Sequence, residues 1–202
     1  MNTILRPAIT LFVIMTVLTG IIYPFAVTGL AQLLFPAQAE GSLVTAGGQP
    51  VGSRVIGQSF SDPKYFWSRP SATAPQPYNA LASTGSNLGP LNPALTDAVK
   101  ARVDALKAAD PANTLPVPVD LVTASASGLD PDISIAAANY QAARVARVRG
   151  FELKEMQALI GAHAKGRLFG LLGDPRINVL ELNLALDTLK THNDSPGDSP
   201  GA

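Results

Sequence analysis

The sequence predicts an α+β chain with one N-terminal transmembrane helix followed by a single mixed, helix-majority soluble domain. Three observations carry that expectation. No charged residue stands between Arg6 and Glu40. From Gly41 to Pro93, short strand-like pieces alternate with Gly, Pro, Ser, Thr and Asn. From Asn92 onward, apolar residues recur at helical spacing behind cap residues. A length of 202 residues suits one anchor and one domain of roughly 150 residues with its own core.

The anchor is assigned to residues 9–35, behind a short N-terminal segment, 1–8. A helix needs about 20 apolar residues to cross the hydrocarbon, and the run from Ile9 to Phe35 exceeds that. Pro24 removes one backbone donor and is expected to kink the helix. A cleaved secretory signal is the competing reading, with Ala37-Gln38-Ala39 as its small-residue site. The apolar run is far longer than the roughly 7–15 residues of a signal core, which favours an uncleaved anchor. Arg6 and the terminal amine flank the N-side, whereas the C-side shows no Lys or Arg before Arg54. That asymmetry places the N-terminus in the cytoplasm and the domain, 36–190, in the periplasm.

Within the domain, Leu43–Ala46 and Val51–Phe60 are expected as strands. The turn residues Asp62-Pro63, Arg69-Pro70, Pro75 and Pro77 follow, with Tyr65, Phe66, Trp67 and Tyr78 able to fasten this irregular stretch to a core. Asn92-Pro93 opens a helix whose stripe is Leu95, Val99, Val103 and Leu106. Asp97 with Lys100 and Asp104 with Lys107 make pairs on its wet side, and Asp110-Pro111 ends it. Val117 to Ala124 is expected as a strand. A second helix, capped by Asp130 or Ser134, runs to Arg149 before Gly150, with Ala138, Ala142 and Val145 inward and Tyr140, Arg144 and Arg147 on another face. A third helix, about Phe151 to Ala164, aligns Leu153, Met156, Ile160 and His163. Asn178 caps a fourth, with Glu181 placed for a capping box. The tail, 191–202, is Ser-, Pro-, Gly- and Asp-rich and is expected to be disordered. No internal repeat is present.

Composition removes several chemistries. Fifteen basic and fifteen acidic residues leave no net charge, so nothing argues for nucleic acid. Absence of cysteine excludes disulfides, thiolate metal sites and a thiol nucleophile. His163 and His192 alone make a multi-histidine metal centre implausible, and His163 suits a satisfied core histidine. Asp130 and Asp132 suit a helix cap better than an acidic site. The serines lack a His-Asp partner set.

Three segments carry a resemblance: Phe66 to Pro93 (FWSRPSATAPQPYNALASTGSNLGPLNP), Ser127 to Gly150 (SGLDPDISIAAANYQAARVARVRG) and His163 to Leu186 (HAKGRLFGLLGDPRINVLELNLAL). With the anchor, they resemble the C chain of Kdp-type potassium-transporting P-type ATPases over nearly the whole sequence. Asp174 stands where Glu is common in that family, and Ile177 where Val is common. The resemblance implies a four-part complex in the bacterial inner membrane. Its partners would be a channel-like A subunit that selects potassium, a P-type ATPase B subunit that hydrolyses ATP, a small F subunit and the lipid bilayer. The chain itself has no Asp-Lys-Thr-Gly phosphorylation motif, so a non-catalytic role without cofactor is expected. In the family the C subunit is needed for assembly.

It has also been proposed there to raise the ATP affinity of the B subunit. For that alternative the candidate nucleotide contacts are Gly85, Ser86, Asn87 and Gly89, a Gly-rich stretch faintly similar to the signature loop of ABC transporters. Such loops free N–H groups for phosphate, but no Lys follows in the Walker manner, and a tight turn before the Asn92 cap accounts for the same residues. A periplasmic domain also could not meet cytoplasmic ATP. Candidate partner contacts are Gly20 and Gly29, where a neighbouring helix could approach closely, and the basic face of Tyr140, Arg144 and Arg147, which a solvated helix surface explains equally.

Overall fold

A computed structural model describes the chain from Asn2 to Asn193, with side-chain environments from Thr3 to Leu189. It divides into two compact units, with the division between Val44 and Thr45.

The first unit is nearly all helix. Helix α1 (Asn2–Val17) passes through a π-helical turn (Leu18–Ile22) into α2 (Tyr23–Leu34), and a short α3 (Pro36–Ala39) follows. Residues 2–8 are thus already helical, and Thr3–Leu34 is long and apolar enough to cross a membrane. Pro24 disturbs the ladder because proline offers no N–H and its ring crowds the carbonyl four residues back. The turn just before it widens instead, with the Tyr23 N–H donating to the Leu18 carbonyl. Thr16 and Thr19 fold their hydroxyls onto the Phe12 and Met15 carbonyls at 2.8 and 2.7 Å. Neither polar group is therefore left open on an apolar helix.

Beyond these helices, β1 (Leu43–Ala46) and β2 (Gln49–Ser53) form a hairpin turned at Gly47-Gly48. β2 stops well short of the expected Phe60, because the chain folds back at Ile56 and the Gly57 N–H reaches the Leu129 carbonyl at 2.8 Å. The strand expected over 117–124 is absent. Pro116 and Pro118 remove two ladder donors, and the segment winds through a 3₁₀ turn, Val119–Leu121, that buries Leu121. The pairing lies elsewhere, between β3 (Asp132–Ser134) and β4 (Arg176–Asn178), antiparallel with Ile133 opposite Ile177.

Four helices complete the domain: α4 (Pro93–Ala109), α5 (Ile135–Arg149), α6 (Leu153–His163) and α7 (Val179–Asn193). Asn92 caps α4 through the Ala94 N–H at 3.0 Å. Ser134, not Asp130, caps α5 by accepting from the Ala137 N–H at 3.0 Å, and Gly150 ends it in the left-handed conformation. Glu152 and Glu155 form a reciprocal capping box on α6. For α7, Asn178 accepts from the Glu181 N–H at 3.1 Å. The Glu181 carboxylate does not return the bond, being held by Arg54 and Lys165 at 2.8 and 2.9 Å. The core gathers Ala138, Ala142 and Val145 of α5, Met156 and Ile160 of α6 and Leu182 and Leu186 of α7 around Phe66, Ile133 and Ile177. Helix α7 runs on through Asn193. The rest of the expected tail, 194–202, lies outside the described residues.

Candidate functional site: a clamped segment and a guarded cleft

The segment from Asp62 to Arg69 has no strand partner among the described residues, yet from its exposed start it sends the fully buried Phe66 into the core. Its backbone groups must be paired there or cost stability, and side chains supply the pairing. Asn183 of α7 accepts from the Phe66 N–H at 2.9 Å and donates to the Phe66 carbonyl at 3.0 Å. Gln141 of α5 does the same for Trp67, at 2.7 and 3.1 Å. Arg144 donates to the Pro63 carbonyl, and Arg149 to the Lys64 carbonyl at 3.1 Å. Two helices thus act as the neighbouring strands this segment lacks.

Ring contacts lock the same segment. The Arg144 guanidinium lies 4.5 Å from the Trp67 ring centre, and that of Arg149 lies 4.8 Å from the Tyr65 ring centre. The Tyr65 hydroxyl donates to Asp187 at 3.0 Å, and Arg149 pairs with the same carboxylate at 2.5 Å. Burial pushes the Arg144 guanidinium down to about 10. Burial also raises the Tyr65 hydroxyl above its ordinary value.

This changes the expected basic face. Tyr140 and Arg144 are only 4% and 2% exposed, so both are spent inside the domain rather than offered on one wet surface with Arg147. Arg147 does reach solvent, with its side chain 54% exposed, and it pairs at 2.8 Å with the buried carboxylate of Asp110. Gln141 and Asn183 were not singled out in the sequence. Their signal is a polar amide on an apolar stripe, Gln141 between Ala137 and Val145, and Asn183 one turn after Val179.

Beside the β3 edge lies an open cleft of about 440 Å³, lined in part by Arg69, Asp120, Asp130, Asp132 and Arg176. Its carboxylates are engaged. Asp120 accepts from the Ser134 N–H at 2.7 Å and its hydroxyl at 3.1 Å. Asp130 accepts from the Asp132 N–H at 3.0 Å and pairs with Arg69 at 2.7 Å. Asp132 pairs with Arg176 at 2.9 Å. Burial, and then the Asp130 charge, raise Asp132 above the usual carboxylate value. Among the described residues no three His, Asp or Glu converge as a metal site.

The loop 84–89 packs by backbone. A side chain on Gly85 would meet the Ala126 carbonyl at 3.0 Å, whereas one on Gly89 would meet nothing within 4 Å. Asn87 takes a positive φ of 51°, and Ser83 beside the loop donates to the Ser127 carbonyl at 3.0 Å. Ser86, Asn87 and Gly89 are exposed, and none of residues 84–89 lines the acidic cleft. Gly20 and Gly29 both have open space where a side chain would stand. They stand nine residues apart, and the wider π turn that holds Gly20 shifts the 3.6-residue count, so they point to different faces rather than along one stripe. His163 is half-buried, with Nδ1 3.0 Å from the Leu159 carbonyl, a satisfied position.

Together these features define one apolar N-terminal helix of membrane-crossing length joined to a helix-rich domain whose buried polar groups hold its own backbone. The chain belongs to the family described as K+-transporting ATPase, c chain, whose model matches residues 5–188. It is 67% identical over 187 residues to the potassium-transporting ATPase KdpC subunit of Variovorax paradoxus, covering 93% of this chain and 97% of that protein. It is 66% identical over 197 residues to the subunit of the same name from Polaromonas naphthalenivorans, covering 98% of this chain and all of the relative. A third, from Herpetosiphon aurantiacus, is 61% identical over 191 residues, covering 95% and 99%.

Proposed function

We propose that this chain is a membrane-anchored, non-catalytic subunit of an ATP-driven potassium import complex, and that it serves the assembly and stability of that complex. The observation that carries the reading is the family match across residues 5–188. The way the domain uses its polar groups agrees with it: Gln141, Asn183, Arg144 and Asp120 all bind the chain's own backbone. A rigid body held in this way suits a fixed part of a larger assembly.

In this reading the anchor packs against a channel-like A subunit, with Gly20 and Gly29 as close-approach points on two faces. A P-type ATPase B subunit and a small F subunit complete the complex. Arg147 is the exposed member of the basic face and the one available to a partner. The positive charge of Arg6 on the N-side keeps that end in the cytoplasm, so the domain stands in the periplasm near the potassium entrance. ATP would then lie across the bilayer from Gly85, Ser86, Asn87 and Gly89.

Protease protection tests the orientation. Digestion of the domain in spheroplasts, with protection in inverted vesicles, is the expected pattern, and the reverse would revive the nucleotide-contacting alternative. Co-purification tests the assembly role. Removing residues 41–202 should lower recovery of the A and B subunits together, and full recovery would overturn it.

A further inference from the structure

An exposed apolar tip stands between Gly166 and Gly173, apart from the clamp and the cleft. The side chains of Leu168, Phe169, Leu171 and Leu172 are 59%, 85%, 82% and 61% exposed. Tight backbone turns present them. Phe169 holds a φ of 54°, uncommon for a bulky residue, beside Gly170 at 73°. Such strain is kept where the surroundings or a function demand it, and contiguous exposed apolar groups mark a contact surface.

We propose that this tip is a second membrane contact, seated in the interface of the bilayer that holds the N-terminal helix; the proposal rests on the reading of that helix as an anchor. Lipid, rather than a groove on another protein, is favoured by the tip's polar groups. No polar side chain occurs from Leu168 to Leu172. Apart from that of Phe169, the tip's backbone donors turn inward: Leu168 N–H to the Leu172 carbonyl at 2.9 Å, Leu172 and Leu171 N–H to the Leu168 carbonyl at 3.0 and 3.1 Å, and Gly170 N–H to the Arg167 carbonyl at 3.1 Å. A medium without water requires such internal pairing.

The base of the tip suits a headgroup layer. Lys165, Arg167 and Arg176 are half-exposed and carry long apolar stems that can lie along lipid while the charge stays wet. Their partners Glu181, Asp174 and Asp132 balance them, so the attachment is apolar in origin and only weakly sensitive to salt. The exposed Asp174 carboxylate limits insertion to the tip itself.

The chain has no cysteine, which permits single labels. Leu171→Cys, with Phe25→Cys in the anchor as reference, would each carry an environment-sensitive fluorophore in the full chain. Both would be reconstituted into phosphatidylcholine–phosphatidylglycerol vesicles with and without acyl-brominated lipid. The expected result is a blue shift and loss of emission in brominated lipid at both positions. Quenching at Phe25 with Leu171 left in water overturns the tip proposal and leaves the anchor standing. Absence of quenching at both overturns the anchor reading and the proposal with it. A Leu171 label shielded only when the other subunits are co-reconstituted identifies a protein groove as the occupant and also overturns it. Phe169→Ser with Leu172→Ser should abolish quenching at Leu171 while leaving Trp67-monitored unfolding of the domain unchanged; retained quenching would count against the proposal.

Discussion

Gln141 holds both backbone polar groups of one residue: its Oε1 accepts from the Trp67 N–H at 2.7 Å and its Nε2 donates to the Trp67 carbonyl at 3.1 Å. Asn183 makes the matching pair one residue earlier, on Phe66. Asn183→Leu should leave two buried backbone groups unpaired, and Gln141→Leu two part-buried ones. An unsatisfied buried group costs about 1–3 kcal/mol, so Asn183→Leu should lose about 2–6 kcal/mol and Gln141→Leu less. Urea unfolding followed by the emission of Trp67, the sole tryptophan, measures this. Gln141→Glu keeps the acceptor for Trp67 and Arg144 and should cost less.

Arg144 and Arg147 should part company although they sit on one helix. Arg144→Ala removes the donor to Pro63, the bond to Gln141 and the stacking on Trp67. A loss of about 2–4 kcal/mol is expected from the two charge-assisted bonds and the ring contact removed. Arg147→Ala removes one ion pair at a side chain more than half exposed. Its effect on the isolated chain should be smaller than that of Arg144→Ala, because the Arg147 end of the pair is screened by solvent. A larger effect of Arg147→Ala on co-purification than on unfolding would mark it as a partner contact.

The two glycines of the 84–89 loop separate packing from nucleotide binding. Gly85→Ala presses on the Ala126 carbonyl at 3.0 Å and should lower stability modestly, whereas Gly89→Ala meets open space and should leave it unchanged. If the loop held phosphate through its backbone, Gly89→Ala and Asn87→Ala would both weaken binding of a fluorescent ATP analogue. No binding to the unsubstituted chain, and no stability change for Gly89→Ala, is the expected outcome.

Asp132 gives a pH test with a definite sign. Burial, followed by Asp130, raises its folded value, so the unfolded chain releases this proton first. Its favourable contribution is therefore complete at acid pH and is lost as pH rises through the raised value. The difference in Tm between Asp132→Asn and the unsubstituted chain should shift in favour of the variant from about pH 3 to pH 7, bracketing the ordinary carboxylate range. A shift in the opposite direction would mean that the Arg176 pair outweighs burial.

For the anchor, Gly29→Leu should leave the domain's unfolding unchanged and lower co-purification with the A subunit. Gly20→Leu tests the other face in the same way. Equal recovery for both variants would exclude close helix approach at these positions.

The sequence disclosed elements wherever one signal dominated. An uncharged run marked the first helix, and Asn92-Pro93 and Asn178 marked helix starts through local cap chemistry, while Asp130 and Ser134 competed for a third that the structure gives to Ser134. Three-residue strands such as Asp132–Ser134 are too short to display alternation, and they arise from Ile133 meeting Ile177 across a long sequence separation. Val117–Ala124 had the apolar content of a strand but followed Pro116 and carried Pro118, and tertiary packing turned it. Tyr140 and Arg144 looked like a surface because periodicity ranks residues by type. The partner that draws Arg144 inward, Pro63, lies 81 residues away.

The carboxylates beside β3 have a bearing on how the chain meets others of its kind. Asp130 and Asp120 occupy the Asp132 and Ser134 donors, and Lys165 exchanges both backbone bonds with Arg176 on the far strand. The small sheet therefore offers no row of open donors for another polypeptide to extend. When subunits are made in unequal amounts, surplus copies are denied strand-by-strand linkage at this sheet, so their association must draw on side-chain surfaces.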